Sequence, residues 1–462
     1  MLLRFQLVDS APTVAREVVL EGSTTLDVVH LVVQRLYGWQ NVHMHRFDSA
    51  DPYQRQRTDA PEPRSWLLPS LLDEFDGEPD SDTTVGEALE VSGGTLWYEY
   101  DFGDGWQVTI TVLDATDSAD STAAVTDATG HGPGDDLGGV HTFNELRTVV
   151  PIGGIAPVDR EKLDADLKIL LAATRALAHL RPLLARVTTD VSAQWCERVA
   201  SAVANPPVID DVAIAASVRP FQWMLRRIGP DGIALTGAGW LPPALVRDAM
   251  HELGWEHRAF GMMNREDRTP AIAELRATMR HLGLLRVAKG RITVTAMARR
   301  LVDDPIALWR YVAEQVVARA PSDADRDLQL LLAVHLVAYR AVDRAVDHHV
   351  DHASGRDVDP AAGRDVDPAA GRALNSGRLA ASIAEGLTTL GWHDRGGPDA
   401  GFADPRGTGI RVATAESMLR DALQPLGDLG AFTVGVYRWY RGDKVTEVGR
   451  ALGYTMLGGV AN

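Results

Sequence analysis

The first residues of the chain alternate apolar and polar side chains. Leu3, Phe5 and Leu7 fall on one face of an extended backbone and Arg4 and Gln6 on the other, which predicts a strand over residues 2–9. Residues 14–21 form its expected hairpin partner. Leu26, Val29, Val33 and Leu36 then recur at helical spacing; Ser23, Thr24 or Thr25 can cap that helix, and Gly38 ends it after Tyr37. Val42 to Phe47 reads as a third strand. Thr95–Tyr100 and Trp106–Leu113 read as two more, joined through Asp101-Phe102-Gly103-Asp104-Gly105 in a tight hairpin whose turn carries acids. The order strand, strand, helix, strands predicts an α+β domain, one helix on a mixed or antiparallel sheet in a ubiquitin-like arrangement with a long insertion.

Downstream, residues 114–139 are rich in Asp, Ser, Thr, Ala and Gly and read as a flexible acidic loop. Residues 159–204 are helical, with Leu163, Leu167, Leu170 and Leu171 on one face, and Asn205-Pro206-Pro207 breaks them. From Asp210 the pattern changes. Ile233–Thr236 is a short strand, Pro242-Pro243 opens a helix to Leu253, and Thr269-Pro270 opens another to Leu282. Leu284–Val287 and Arg291–Val294 flank the turn Ala288-Lys289-Gly290, and Thr295 caps a further helix. Helix, two-stranded wing, helix predicts a winged-helix-like unit. Leu429-Gly430-Ala431-Phe432 and Lys444–Leu452 echo its second half, so a second such unit is expected. Between the two, Gly355–Ala362 recurs unchanged as Gly363–Ala370, a linker in which proline and glycine forbid regular structure. The expected division is residues 1–150, an α+β domain; 151–209, a helical connector; 210–350, a winged-helix-like domain; 351–376, the repeat linker; and 377–462, the second winged-helix-like unit.

Charge narrows the partners. The 462 residues carry a formal net charge of -17, which argues against a uniformly basic nucleic-acid coat but leaves room for a local basic face. The single cysteine, Cys196, cannot form a disulfide within the chain, and a reducing cytoplasm is the expected setting. No segment reaches the length of about 20 apolar residues that spans a bilayer, and Met1–Asp9 lacks a signal peptide's apolar run. No membrane partner is expected.

Several spaced motifs carry a family likeness: His30-Leu31, Tyr37-Gly38-Trp39, His43-Met44-His45-Arg46-Phe47, Tyr100-Asp101-Phe102-Gly103-Asp104-Gly105-Trp106 and Asp136-Leu137-Gly138-Gly139. Through them, roughly residues 1–150 resemble the plasmid pRiA4b ORF-3-like family, a bacterial group often described as insertion-sequence passengers. The chain departs from the family's pattern at Gln107 and Val108, where members usually place a histidine after the hairpin tryptophan. It departs again at Gly132-Pro133-Gly134-Asp135, where members often show cysteines. The central region also looks like the C-terminal extension that some members carry. The resemblance implies a fold and a link to mobile DNA, and no agreed reaction.

Candidate chemistry is sparse. His43 and His45, two apart on an expected strand, share a face, with His30 on the helix and Asp101 and Asp104 at the hairpin turn; histidine and carboxylate together can bind a divalent ion or move a proton. His43, His45, Tyr100, Asp101, Asp104 and Trp106 are therefore the candidate partner or ligand surface, and Trp97 and Tyr98 extend its aromatic part. Arg276, Arg280, Arg286, Lys289 and Arg291 are the candidate DNA grip, with Arg299 and Arg300 beyond. Asp343, Asp347, His348, His349, Asp351 and His352 crowd a helix end and read as solvated. Asp101-Phe102-Gly103 lacks the other parts of a kinase, and Gly237-Ala238-Gly239 lacks a phosphate-binding unit. The reading is a non-enzymatic binding or regulatory protein acting through protein or DNA contacts, a protein partner being expected first. No catalytic residue, cofactor or bound metal is assigned. The alternative is a metal-assisted hydrolase or nuclease built on His43, His45, Asp101 and Asp104.

Overall fold

The computed structural model describes residues 1–54, 63–115, 123–149, 158–256, 263–339, 376–394, 409–429, 431–432 and 445–461. The tandem repeat and the Asp343–His352 cluster lie outside them. The chain divides into two compact units, Met1–Val203 and Ala204–Asn462. No described helix is long and apolar enough to cross a membrane.

The first unit is a mixed sheet with helices. Its strands are β1 (Leu2–Leu7), β2 (Ala15–Val19), β3 (His45–Asp48), β4 (Ser65–Leu67), β5 (Glu78–Pro79), β6 (Thr95–Tyr100), β7 (Trp106–Asp114) and β8 (Ala124–Thr129). Their spatial order is β5-β4-β3-β6-β7-β1-β2-β8, antiparallel except where β4 meets β5. The helices are α1 (Leu26–Tyr37), α2 (Val85–Val91), α3 (Gly139–Val149), α4 (Arg160–Ala176), α5 (Arg181–Leu184) and α6 (Thr189–Ala204). Thr25 precedes α1 in extended conformation, and Gly38, at φ 78°, ends it. Helix α1 is buried nearly all round because α4 packs on it outside the sheet. It is tied to the sheet by Gln34, which donates to the Tyr98 hydroxyl at 3.0 Å, and by Arg16 of β2, whose Nε donates to the Leu36 carbonyl at 3.0 Å.

One expectation needs correction here. The stretch expected to be a flexible loop contains β8, which pairs with β2 and buries Val125. Its Ser- and Thr-rich composition hid one apolar contact and a free sheet edge to pair with. Helix α6 packs against α1 and the link that follows it: Arg35 donates to Ser192 of α6 at 2.9 Å, and Thr189 donates to the Trp39 carbonyl at 2.6 Å.

The second unit is mainly helical. It runs α7 (Asp211–Ile228), β9 (Ile233–Ala234), α8 (Pro243–Glu252), α9 (Pro270–His281), β10 (Leu285–Ala288), β11 (Arg291–Val294), α10 (Ala296–Leu301), α11 (Pro305–Ala318), α12 (Asp323–Ala338), α13 (Ser376–Thr389), α14 (Val412–Asp428) and α15 (Glu447–Met456). The three strands form an antiparallel sheet in the order β10-β11-β9. The sequence echo has a geometric counterpart. Thr295 caps α10 and its N–H donates to the Leu284 carbonyl at 3.1 Å; Thr446 caps α15 and its N–H donates to the Ala431 carbonyl at 3.0 Å. Leu285 pairs with Val294, and Phe432 bridges Val445 in the same sense.

Candidate functional site

The hairpin tip between β6 and β7 meets two other segments. One is the link from α1 to β3; the other is the turn Asp135–Gly139 that leads into α3. Each is held by hydrogen bonds that follow from its residue types. Asn41, at φ 56°, occupies a left-handed conformation that asparagine tolerates. Its N–H donates to Gln34 at 2.8 Å, and its side-chain amide donates to the carbonyls of Ala185 at 3.1 Å and Val187 at 3.0 Å. Val42 and Met44 are fixed against the hairpin. The Val42 N–H donates to the Tyr100 hydroxyl at 3.1 Å, and the Asp101 N–H donates to the Met44 carbonyl at 3.0 Å. His43 is thereby held between two anchored neighbours.

Asp101 also sits at positive φ, 56°. Its Oδ1 accepts from the N–H groups of Gly103 and Asp104 at 3.1 and 3.3 Å, an Asx turn that orients the carboxylate. The third segment is pinned by its own acids. Asp135 accepts from the Tyr100 hydroxyl at 2.8 Å and from the Gln40 N–H at 3.0 Å, while Asp104 accepts from the Gly138 N–H at 2.8 Å. Gly139, at φ 81°, lets this turn lie against the Asp104 carbonyl: a Cβ there would stand 2.7 Å from that oxygen.

The result is a three-residue constellation. Asp101 Oδ2 lies 3.4 Å and Asp136 Oδ1 3.1 Å from His43 Nε2. All three ligand atoms fall within 4.8 Å of one another. The ring nitrogen has no hydrogen-bond partner despite this proximity. The spacing suits a different bond. Bonds of about 2.1 Å to a shared ion put neighbouring ligand atoms about 3.0 Å apart in an octahedron and about 3.4 Å apart in a tetrahedron. One imidazole nitrogen with two carboxylate oxygens and no thiolate suits Zn²⁺, Mn²⁺ or Fe²⁺ better than Ca²⁺ or Cu⁺. Asp136 is exposed, with a side-chain accessibility of 76%, so the site opens to solvent.

The other expected residues go elsewhere. His45 is buried in the core, not beside His43: its Nε2 lies 3.0 Å from Asp80, and its ring stacks on His30 at 3.5 Å. His30 meets the Tyr98 hydroxyl at 2.9 Å and Asn41 at 2.8 Å. Burial lowers the pKa of His45 to about 3 and pushes His30 well below the usual histidine value. Burial raises Asp80 to about 7. Tyr98, Tyr100 and Trp106 are fully buried in an aromatic core with Trp39, so they offer no surface to a partner. Asp104 lies at the tip but serves Gly138. Asp136, which completes the constellation, was visible only as part of the Asp-Leu-Gly-Gly motif.

In the second unit, Arg276 is buried and bonds both carboxylate oxygens of Glu266, at 2.9 and 2.8 Å, and the Gly239 carbonyl at 3.1 Å. That guanidinium is committed within the fold and is not placed to grip a phosphate. Arg280, Arg286 and Lys289 are exposed; Arg291 is exposed but donates to the carbonyls of Asp231 and Gly232 at 3.0 Å. Arg299 donates to the Val294 carbonyl.

Comparison with known proteins follows the first unit. The uncharacterized protein y4hQ of Sinorhizobium fredii (strain NBRC 101917 / NGR234) is 31% identical over 141 residues, which cover 29% of this chain and 64% of that protein. The chain thus spans less than two thirds of that relative's length. A crystal structure of a protein of unknown function, MM3350 from Methanosarcina mazei Go1, covers 32% of this chain and 79% of that one at 20% identity, with a TM-score of 0.27. The family whose model matches is that of the plasmid pRiA4b ORF-3-like protein, over residues 1–153, a span that holds His43, Asp101 and Asp136 together.

Proposed function

We propose that this chain is a non-enzymatic, metal-dependent binding protein: its N-terminal unit takes one first-row divalent ion at His43, Asp101 and Asp136. The observation that carries the reading is the set of ligand-atom separations around His43 Nε2, 3.1 and 3.4 Å, with no hydrogen bond to account for them. The two carboxylate oxygens lie within 4.8 Å of each other, and a cation between them would offset their repulsion. His45, the nearest other proton carrier in sequence, is engaged by Asp80 in the core, which favours binding over acid–base chemistry.

The second unit is read as winged-helix-like, working through protein contacts before DNA. The run β9, α8, α9, β10, β11 with sheet order β10-β11-β9 supports this. On that reading α9 would be the recognition helix, yet Gln424 of α14 donates to its Glu274 at 3.0 Å, so part of its outer face already meets the protein's own chain.

Calorimetric titration of the full chain with Zn²⁺ and Mn²⁺ tests the metal reading. One ion per chain is expected, with binding lost in His43→Ala and weakened about tenfold or more in Asp101→Asn, since ligand loss removes a charged contact of at least about 1.4 kcal/mol. Saturable binding absent from the wild type, or unchanged in His43→Ala, would overturn it. A hydrolase stays the second reading because three protein ligands leave coordination positions open. Metal-dependent cleavage of bis(4-nitrophenyl) phosphate by the wild type and not by His43→Ala would select it.

A further inference from the structure

Strands β9, β10 and β11 contain neither aspartate nor glutamate, and the β10–β11 turn adds only Lys289 and Gly290. Alternation divides this small sheet into two faces. Leu285, Ile292 and Val294 are buried on one, and Ile233 pairs with Ile292 on that side. The register sets the other: Arg286 pairs with Thr293, Ala288 with Arg291, and Arg291 with Ala234. Arg286, Ala288, Arg291 and Ala234 are exposed, as is Lys289 at the tip. Arg286 and Arg291 are diagonal neighbours, roughly 7–8 Å apart.

The charges on this face stand unanswered. Elsewhere in the unit arginines are matched by acids: Arg226 by Asp303, Arg227 by Asp248, Arg265 by Asp267 and Arg276 by Glu266. Among the described residues, the side chains of Arg286 and Lys289 make no hydrogen bond or ion pair. The bonds of Arg291 go to the neutral carbonyls of Asp231 and Gly232, which leave its charge in place. In a chain of net charge -17, three cations grouped on an acid-free surface keep a local positive potential. The strand residues on this face are arginine, alanine and threonine, without the large apolar side chains on which a protein interface centres. Its match is a repeated anion.

We propose that this face, with Lys289, binds the phosphate backbone of duplex DNA. Duplex DNA carries about one negative charge per 1.7 Å of its axis, so even a small face meets several. Arg286 and Lys289 would each meet a phosphate, and Arg291 would turn its remaining N–H donors to a third. The small side chains of Ala288 and Ala234 leave the backbone room to approach. Such contacts fix position and carry no base readout. They do not use α9, whose Glu274 is engaged by α14, and they do not depend on the metal ion proposed for the first unit.

The test is fluorescence anisotropy of a labelled duplex of about 20 base pairs, titrated with the full chain in EDTA between about 0.02 and 0.2 M salt. With three phosphates contacted, the logarithm of the binding constant should fall against the logarithm of salt concentration with a slope of about -2 to -3. Arg286→Gln and Lys289→Asn should each weaken binding and flatten that slope by about one, while Arg286→Lys should keep it. Both positions are exposed and unbonded, and asparagine tolerates the left-handed φ of 48° at position 289, so folding is not in question. No binding at the lowest salt would overturn the proposal. So would a slope unchanged in the double variant, which would place the DNA on other cations. Equal affinity for poly-L-glutamate would assign the face to an acidic protein and overturn it too. Because EDTA keeps the first unit free of metal, none of these outcomes bears on the metal reading.

Discussion

His43 and His45 show how two residues of offset change chemistry. Their spacing puts both side chains on one face of a strand, but the ladder begins only at His45, and His43 lies in the link before it. One ring therefore meets two hairpin-side acids, and the other enters the core against Asp80. The buried pair has a measurable signature. Asp80, at about 7, and His45, at about 3, are displaced in opposite directions from ordinary values of about 3.9 and 6.5. Between those two ordinary values the effects oppose: the folded chain keeps a proton on Asp80 that the unfolded chain releases, and it lacks one on His45 that the unfolded chain holds. Above about pH 6.5 only Asp80 still differs, and the folded chain binds more protons, so its contribution to stability is lost as pH rises through 7. The slope cannot exceed about 1.4 kcal/mol per pH unit for one proton. The thermal stability of the wild type should fall between pH 6.5 and 8, and Asp80→Asn should flatten that decline. An equal decline in both proteins would remove Asp80 as its source.

At the scale of elements, the site depends on a turn fitting a hairpin. Gly139 combines a positive φ with a would-be Cβ 2.7 Å from the Asp104 carbonyl, so Gly139→Ala both strains the backbone, at about 1–3 kcal/mol, and lifts Asp136 away from His43. Metal affinity should fall about tenfold or more in this variant while His43 and Asp101 remain, a loss readable in the same titration. Periodicity made much of this architecture legible. Helix α1, strands β6 and β11 and the start of α9 lie where their apolar spacing and caps put them. Helix α2 was not foreseen: its signal is a capping box, Thr84 with Glu87, and it is too short for a periodic pattern to stand out. Strand β8 was hidden by polar composition. The hairpin was legible, but its aromatic residues belong to the core, because a ring's burial depends on which face later elements cover.

At the scale of the molecule, the two units differ in kind: a mixed sheet with helices, and a mainly helical body. The first gathers His43, Asp101 and Asp136 from segments far apart in sequence onto one hairpin tip, and the family match covers residues 1–153 of that unit. The winged-helix reading of the second unit rests on element order, the sheet order and the matched bonds of Thr295 and Thr446. Which side chains converge was only half legible, since Asp136 entered the sequence argument as a family motif and not as a ligand. The most direct test of the central claim is anomalous diffraction from crystals of the full chain grown with Mn²⁺. The account expects one strong peak about 2.2 Å from His43 Nε2 and bonded to oxygens of Asp101 and Asp136. A peak confined to other acids, or none at His43 with the ion in excess, would contradict it.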